Sequence, residues 1–154
     1  MDASAYPAVW DAADAFGSVG GAASGYVDLG APVLALRAGG RAAWGGYPFH
    51  QASFLGGWGS LRGHAHDRFA GDASVFGGAE LRVPLLPLEL VVRGRLGVSV
   101  LADAGRVVFD GESPGGWHTA TGAGVWFATP PAVLTLHVAR GEDTRVYASF
   151  GMPF

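Results

Sequence analysis

Between Glu89 and Gly105 the chain reads "ELVVRGRLGVSVLADAG". Taken every second residue, it separates into two unlike sets. Val91, Arg93, Arg95, Gly97, Ser99, Leu101 and Asp103 form one. Val92, Gly94, Leu96, Val98, Val100, Ala102 and Ala104 form the other, which carries no charge along its whole length. Successive side chains of a strand point to opposite faces, so this pattern describes a strand with one apolar and one polar face. Helical periodicity is nowhere as clear, and 26 glycines argue against a mostly helical chain.

The same alternation recurs. In "GDASVFGGAELRVPL", Asp72, Ser74, Glu80 and Arg82 share one face and Val75, Ala79, Leu81 and Val83 the other. Arg37 and Arg41 alternate with Leu34, Leu36, Ala38, Ala42 and Trp44. Thr135 and His137 alternate with Leu134, Leu136 and Val138. The last run, "RVYASFGMPF", places Val146, Ala148, Phe150, Met152 and Phe154 on one face. Seven strands are predicted, at about 11–29, 32–45, 71–84, 89–105, 117–129, 131–140 and 144–154. Short links such as "GAP", "PLLPL", "TPP" and "GEDT" suit tight hairpins. Longer connections fall at about 46–70 and at "RVVFDGESPGG".

Long alternating strands, short turns at one end and long loops at the other describe an all-β chain, an antiparallel transmembrane β-barrel or part of one. A soluble β-sandwich is the competing fold, but soluble strands usually run to about 5–6 residues. Its water face would also carry more charge than the sparse Arg, Asp, Glu and Ser set seen here. Only 15% of residues are charged and 49% are hydrophobic. The net charge of −3 gives no basic surface for nucleic acid. Cys is absent, which removes disulfides, thiol catalysis and thiolate metal sites. Lys, Ile and Asn are absent as well, which suits a GC-rich genome and warns that Ala, Gly and Arg usage partly reflects codons. No apolar run reaches the ~18 residues of a spanning helix. The opening "MDASAYPAVWDAAD" lacks the basic and apolar regions of a signal peptide.

The stretch "GSLRGHAHDRF", Gly59 to Phe69, concentrates polar chemistry in the longer of the two connections. His64, His66 and Asp67 offer metal-ligand atoms, but a tight site needs three or four ligands. A polar loop is the simpler reading, and no cofactor is expected. Ser60 lies near His64, without the surroundings of a catalytic nucleophile. No enzymatic chemistry is therefore expected. Arg93 and Arg95 fit a lumen lining. Trp44, Trp58, Trp117, Trp126 and Tyr147 fit the aromatic girdles that flank a barrel's apolar band.

Three motifs give the chain a family likeness. "SFLGGWGSLRGHAHDRFAGD" contains an FxLGG element followed by Leu61-Arg62-Gly63-His64, a degenerate form of [VL]RGY. "VLADAGRV" is similar to an FxDxG element and keeps Asp103 and Gly105. "YASFGMPF" is an aromatic-ended final strand. In this order they resemble the C-terminal barrel of the bacterial surface-antigen family, the outer-membrane protein assembly factors of the BamA and TamA type. The likeness covers nearly the whole chain. It implies the last strands of a sixteen-stranded barrel, in the bacterial outer membrane, that inserts outer-membrane proteins or transports polypeptides across that membrane. The implied partners are lipid and unfolded outer-membrane or secreted polypeptides.

The resemblance also implies site residues. Arg62 and Gly63 would sit at the tip of a loop folded into the barrel, with Arg62 on Asp103 and Glu80 as a second acceptor. Tyr147, Phe150, Met152 and Phe154 would form the terminal assembly signal. His64 departs from the usual aromatic of the motif. An odd number of antiparallel strands cannot close on itself, so the expectation is one incomplete barrel domain over residues 1–154. Its missing N-terminal half and periplasmic modules would be partners, or a partner chain or second copy would close the sheet. Alternatives are the barrel anchor of a larger secreted or lipolytic protein and a soluble β-sandwich binding module.

Overall fold

The computed structural model describes residues 2–6, 15–89, 93–113, 115–130 and 132–151. Eight strands form one antiparallel sheet in the order β1-β2-β3-β6-β7-β8-β9-β10. They are β1 (Asp2–Tyr6), β2 (Phe16–Asp28), β3 (Val33–Gly45), β6 (Ala73–Glu89), β7 (Arg93–Val108), β8 (His118–Thr129), β9 (Ala132–Arg140) and β10 (Thr144–Gly151). Between β3 and β6 the chain makes one 3₁₀ turn (Phe49–Gln51) and a separate two-stranded ribbon, β4 (Ser53–Leu55) with β5 (Phe69–Gly71). Among the described residues β1 and β10 are the two edges of the main sheet, and the sheet is open.

The seven strands read from alternation are all present, as an open portion of an antiparallel barrel wall. Two details differ. β1 is an added strand, pairing Asp2 with Gly20 through Tyr6 with Phe16. Its five residues are too few to show a period. The predicted link "PLLPL" is not a turn, because β6 continues through it to Glu89. The ladder from β3 ends at Arg82, so beyond that point β6 is paired on one side only. The prolines can therefore turn their ring nitrogens to the open side. Register with β7 shifts between Pro84 and Leu86, which leaves Leu85 as the extra residue of a bulge.

The strands are long: β6 has 17 residues and β7 has 16. At ~3.3 Å per residue each exceeds 50 Å, ample to cross a ~30 Å hydrocarbon layer at a tilt. The two faces of the sheet are as different as the sequence is. On β7, Gly97, Ser99, Leu101, Asp103, Gly105 and Val107 are buried, whereas Val98, Val100 and Ala102 are exposed. On β9, Thr135, His137 and Ala139 are buried and Leu134, Leu136 and Val138 are exposed. Phe150 on β10 is 79% exposed. Exposed apolar side chains thus run from strand to strand over one whole face, more than a soluble surface tolerates. That face suits lipid, and the polar face is concave and holds the β3–β6 connection. Trp44 and Trp117 are exposed near strand ends, as girdle residues would be.

Charge placed on the outer face is expected to destabilise the fold. Val100→Arg should cost about 2–4 kcal/mol, the range for a cation near the bilayer midplane. A denaturant titration in lipid vesicles checks this. Equal midpoints for Val100→Arg and the native chain would show that this face does not meet lipid.

Candidate functional site

The connection from Gly46 to Asp72 lies over the polar face and is fixed there first by apolar contact. Leu55 and Leu61 are fully buried with Val107 of β7, and Phe69 and Phe76 pack around them. Burying a leucine is worth about 1.5–3 kcal/mol. Gly105 of β7 matters here, since a Cβ added to it would stand 3.0 Å from both Leu55 methyls. At the loop's base, Tyr47 donates its hydroxyl proton to Asp72, which also accepts from the Asp110 amide. Burial and this bond push the Tyr47 hydroxyl up to about 12, and Asp72 is held below its ordinary value.

Arg62 follows Leu61 and is itself 2% exposed. Its Nε donates to Asp103 Oδ2 at 2.7 Å and its Nη2 to Oδ1 at 2.8 Å, a bidentate pair. Its Nη1 donates to Glu80 Oε2 at 2.7 Å, and its backbone amide reaches Asp103 Oδ2 at 3.2 Å. Burial opposes the guanidinium's charge. The bonds and charges of Asp103 and then Glu80 outweigh that and raise its pKa above the ordinary value. Two more arginines share these carboxylates. Arg37 Nη2 donates to Asp103 Oδ2 at 3.1 Å, and Arg82 Nε donates to Glu80 Oε1 at 2.8 Å. Arg37 Nη1 also donates to the Trp58 carbonyl at 2.8 Å, so the wall holds the loop's backbone as well. Trp58 covers the group, its ring 5.9 Å from the Arg62 guanidinium carbon.

His137 completes the inner wall. Its Nε2 lies 2.9 Å from Ser99 Oγ and 3.4 Å from Glu80 Oε1. Neither Arg37, Arg82 nor His137 is named by the motifs, although alternation had put each on the polar face. Gly78 is a further missed residue. It pairs with Asp103 across the ladder, and a Cβ there would stand 2.2 Å from Asp103 Oδ1. Its bare Cα is what gives that carboxylate room.

At the tip, Gly63 has a φ of +79°, and an added Cβ would meet Gly141 N at 2.5 Å. Only glycine fits this left-handed, close approach. His64 is buried beside it, with Nε2 3.2 Å from the Thr119 carbonyl. His66 points away, its side chain 84% exposed against Asp67. Among the described residues no three His, Asp or Glu side chains converge as metal ligands would. Tyr147 turns inward, accepting no place in an outer girdle: its hydroxyl accepts the Gly63 amide at 2.9 Å, and its ring lies 5.4 Å from Trp58. Trp58 is likewise inside. Phe150 faces outward, and Met152 and Phe154 lie outside the described residues.

An arginine-tipped loop locked onto the inner wall of a membrane sheet is a whole-domain feature, and it meets a whole-domain match. The model of the Omp85 superfamily domain matches residues 6–152. The chain belongs to the Omp85 superfamily. Omp85 proteins are outer-membrane assembly and translocation proteins without enzymatic activity, working among lipid and client polypeptides. A comparison with curated proteins gives no match.

Two outcomes follow for this Omp85 domain. Arg62→Ala would leave Asp103 with Arg37 and Glu80 with Arg82 as their remaining arginines and would loosen the loop, at a cost of at most about 3–5 kcal/mol. Chymotrypsin should then cut the Gly46–Asp72 segment faster, with Arg62→Lys intermediate because an ammonium cannot form the fork. Cleavage at the native rate in both would sink the lock. At the loop's base, Asp72 is depressed, so its contribution is present above 3.8 and is lost as pH falls below it. Tyr47 is raised, so its contribution is present below 10.0 and is lost as pH rises towards about 12. Urea midpoints against pH should fall at both ends, and Tyr47→Phe should remove the alkaline fall. An alkaline fall that persists in Tyr47→Phe would assign it elsewhere.

Proposed function

We propose that this chain forms part of a bacterial outer-membrane barrel that receives polypeptides at the free edge of β10 and guides them into or across the membrane. The observation that carries this is the edge itself. Among the described residues β10 pairs only with β9, yet it is flanked by a wall braced from inside. An unpaired strand edge offers a row of amides and carbonyls that lipid cannot satisfy. An incoming strand can satisfy them by β-augmentation.

The loop's role in this reading is to hold the wall's shape while the edge exchanges partners. In this reading the open sheet is closed by further strands, of a partner or of a second copy. A closed eight-stranded barrel has an interior filled by its own side chains, and here that space holds the loop. Phe150, on the lipid face of β10, belongs to the terminal assembly signal in this reading. Tyr147 belongs to the lumen.

The test is site-directed crosslinking. A cysteine at Ala148, outward on β10, should form a disulfide with a cysteine in the last strand of an unfolded outer-membrane client. A cysteine at Ala123, outward on the interior strand β8, should not. No crosslink at position 148, or equal crosslinking at both, would overturn the reading.

A further inference from the structure

The loop tip makes a second set of contacts that the arginine lock does not require. Gly63 donates its amide to Tyr147 Oη at 2.9 Å and accepts the Asp143 amide at 3.1 Å. Arg68 grips Glu142 through two bonds of 2.7 Å. Tyr147 is on β10, and Glu142 and Asp143 form the turn between β9 and β10. The tip also fits that turn closely, since a Cβ on Gly141 would stand 2.3 Å from His64 Nε2. Adjacent residues therefore hold different parts of the molecule. Arg62 holds β6 and β7, and Gly63 holds the last hairpin.

The last hairpin has few other supports. β10 is the sheet edge among the described residues, and β9 is held by its ladder to β8 and by His137, which reaches Ser99 and Glu80. An edge strand so placed frays unless something fixes it from the side. We infer that the loop tip is a latch on the β9–β10 hairpin, with Tyr147 and Glu142 as its hairpin-side positioning residues. The latch holds the β10 edge in one geometry before a strand arrives, so less ordering entropy is lost when one pairs there. Coupling of this kind is reciprocal: a strand bound at β10 tightens the loop to the same degree that the seated loop favours the strand. The receiving role of β10 rests on the function proposed above. The latch itself does not.

Tyr147→Phe removes the hydroxyl and keeps the ring against Trp58. Glu142→Gln removes the charge at an exposed position. Each is read in the full chain in lipid vesicles, without any client, by hydrogen exchange of the β10 amides. One hydrogen bond is worth about 1 kcal/mol, so Tyr147→Phe should speed β10 exchange roughly five-fold. The amides of β6 and β7 should keep their native rates. Glu142→Gln should shift β10 in the same direction. Faster exchange throughout the sheet, or none in β10 for either variant, would overturn the latch.

A client then tests the linkage. An unfolded client carrying the cysteine strand should slow chymotrypsin cleavage of the loop in the native chain, and less so in Tyr147→Phe. Capture at position 148 that is unchanged by Tyr147→Phe overturns the coupling. Absence of capture in the native chain sinks the receiving role instead, and the client-free exchange still decides the latch.

Discussion

Everything inside this sheet depends on one buried guanidinium. Arg62 carries four of the contacts that hold loop to wall, and all four end on Asp103 or Glu80. A charge taken out of water is costly unless its partners are close and its donors are used. Here the fork of Arg62 covers both oxygens of Asp103, and its remaining arm reaches Glu80. The wall supplies Arg37 and Arg82 to the same two carboxylates, so three cations share two anions. With the loop absent, Asp103 would keep Arg37 and Glu80 would keep Arg82. The wall is thus stable enough to wait for the loop, and the loop's arrival adds the bidentate pair. A network in this arrangement specifies one seating and penalises near misses, because a shifted loop would strand a buried donor.

Space for that network is made by residues with no side chain. Gly78 sits across the ladder from Asp103, and Gly124 across from His137, where a Cβ would stand 2.2 Å from the ring. Gly63 lets the tip lie against Gly141. A count of 26 glycines can be read as codon usage or as weak strand propensity. At these positions neither reading is needed. Gly78 faces a charged partner, Gly124 a ring and Gly63 a neighbouring backbone, and each would clash as alanine.

Alternation made the wall legible. A period of two assigned Asp103, Glu80, Arg37, Arg82 and His137 to one face, because charge is absent from the other and a one-residue slip would reverse every side chain. The motif added which loop residue meets them. Three things were not legible. Strand β1 is too short to show a period. The continuation of β6 through Pro84 and Pro87 depends on where its neighbour β3 stops, which is a tertiary fact. The meeting of Gly63 with Tyr147 spans 84 residues of sequence, and no local pattern contains it. Tyr147 also shows why residue type misled: an aromatic near a strand end suits a girdle, but parity with Arg145 and Ser149 turns it inward.

The adjacency of Arg62 and Gly63 has a mechanical meaning. Two neighbouring residues are joined by one planar peptide group, so the two anchor points lie one residue apart. Arg62 is held to β6 and β7, and Gly63 next to it is held to the β9–β10 hairpin. β8 lies between these strands and joins them through backbone ladders, and across it His137 of β9 reaches Ser99 of β7 and Glu80 of β6. The loop tip is the path that reaches β10 itself, through Tyr147. A sheet that must keep its shape while its last strand accepts a new neighbour needs such a path. The reason the loop is folded inward, rather than left in solvent like its length would otherwise suggest, is that only from the concave side can one short segment reach both.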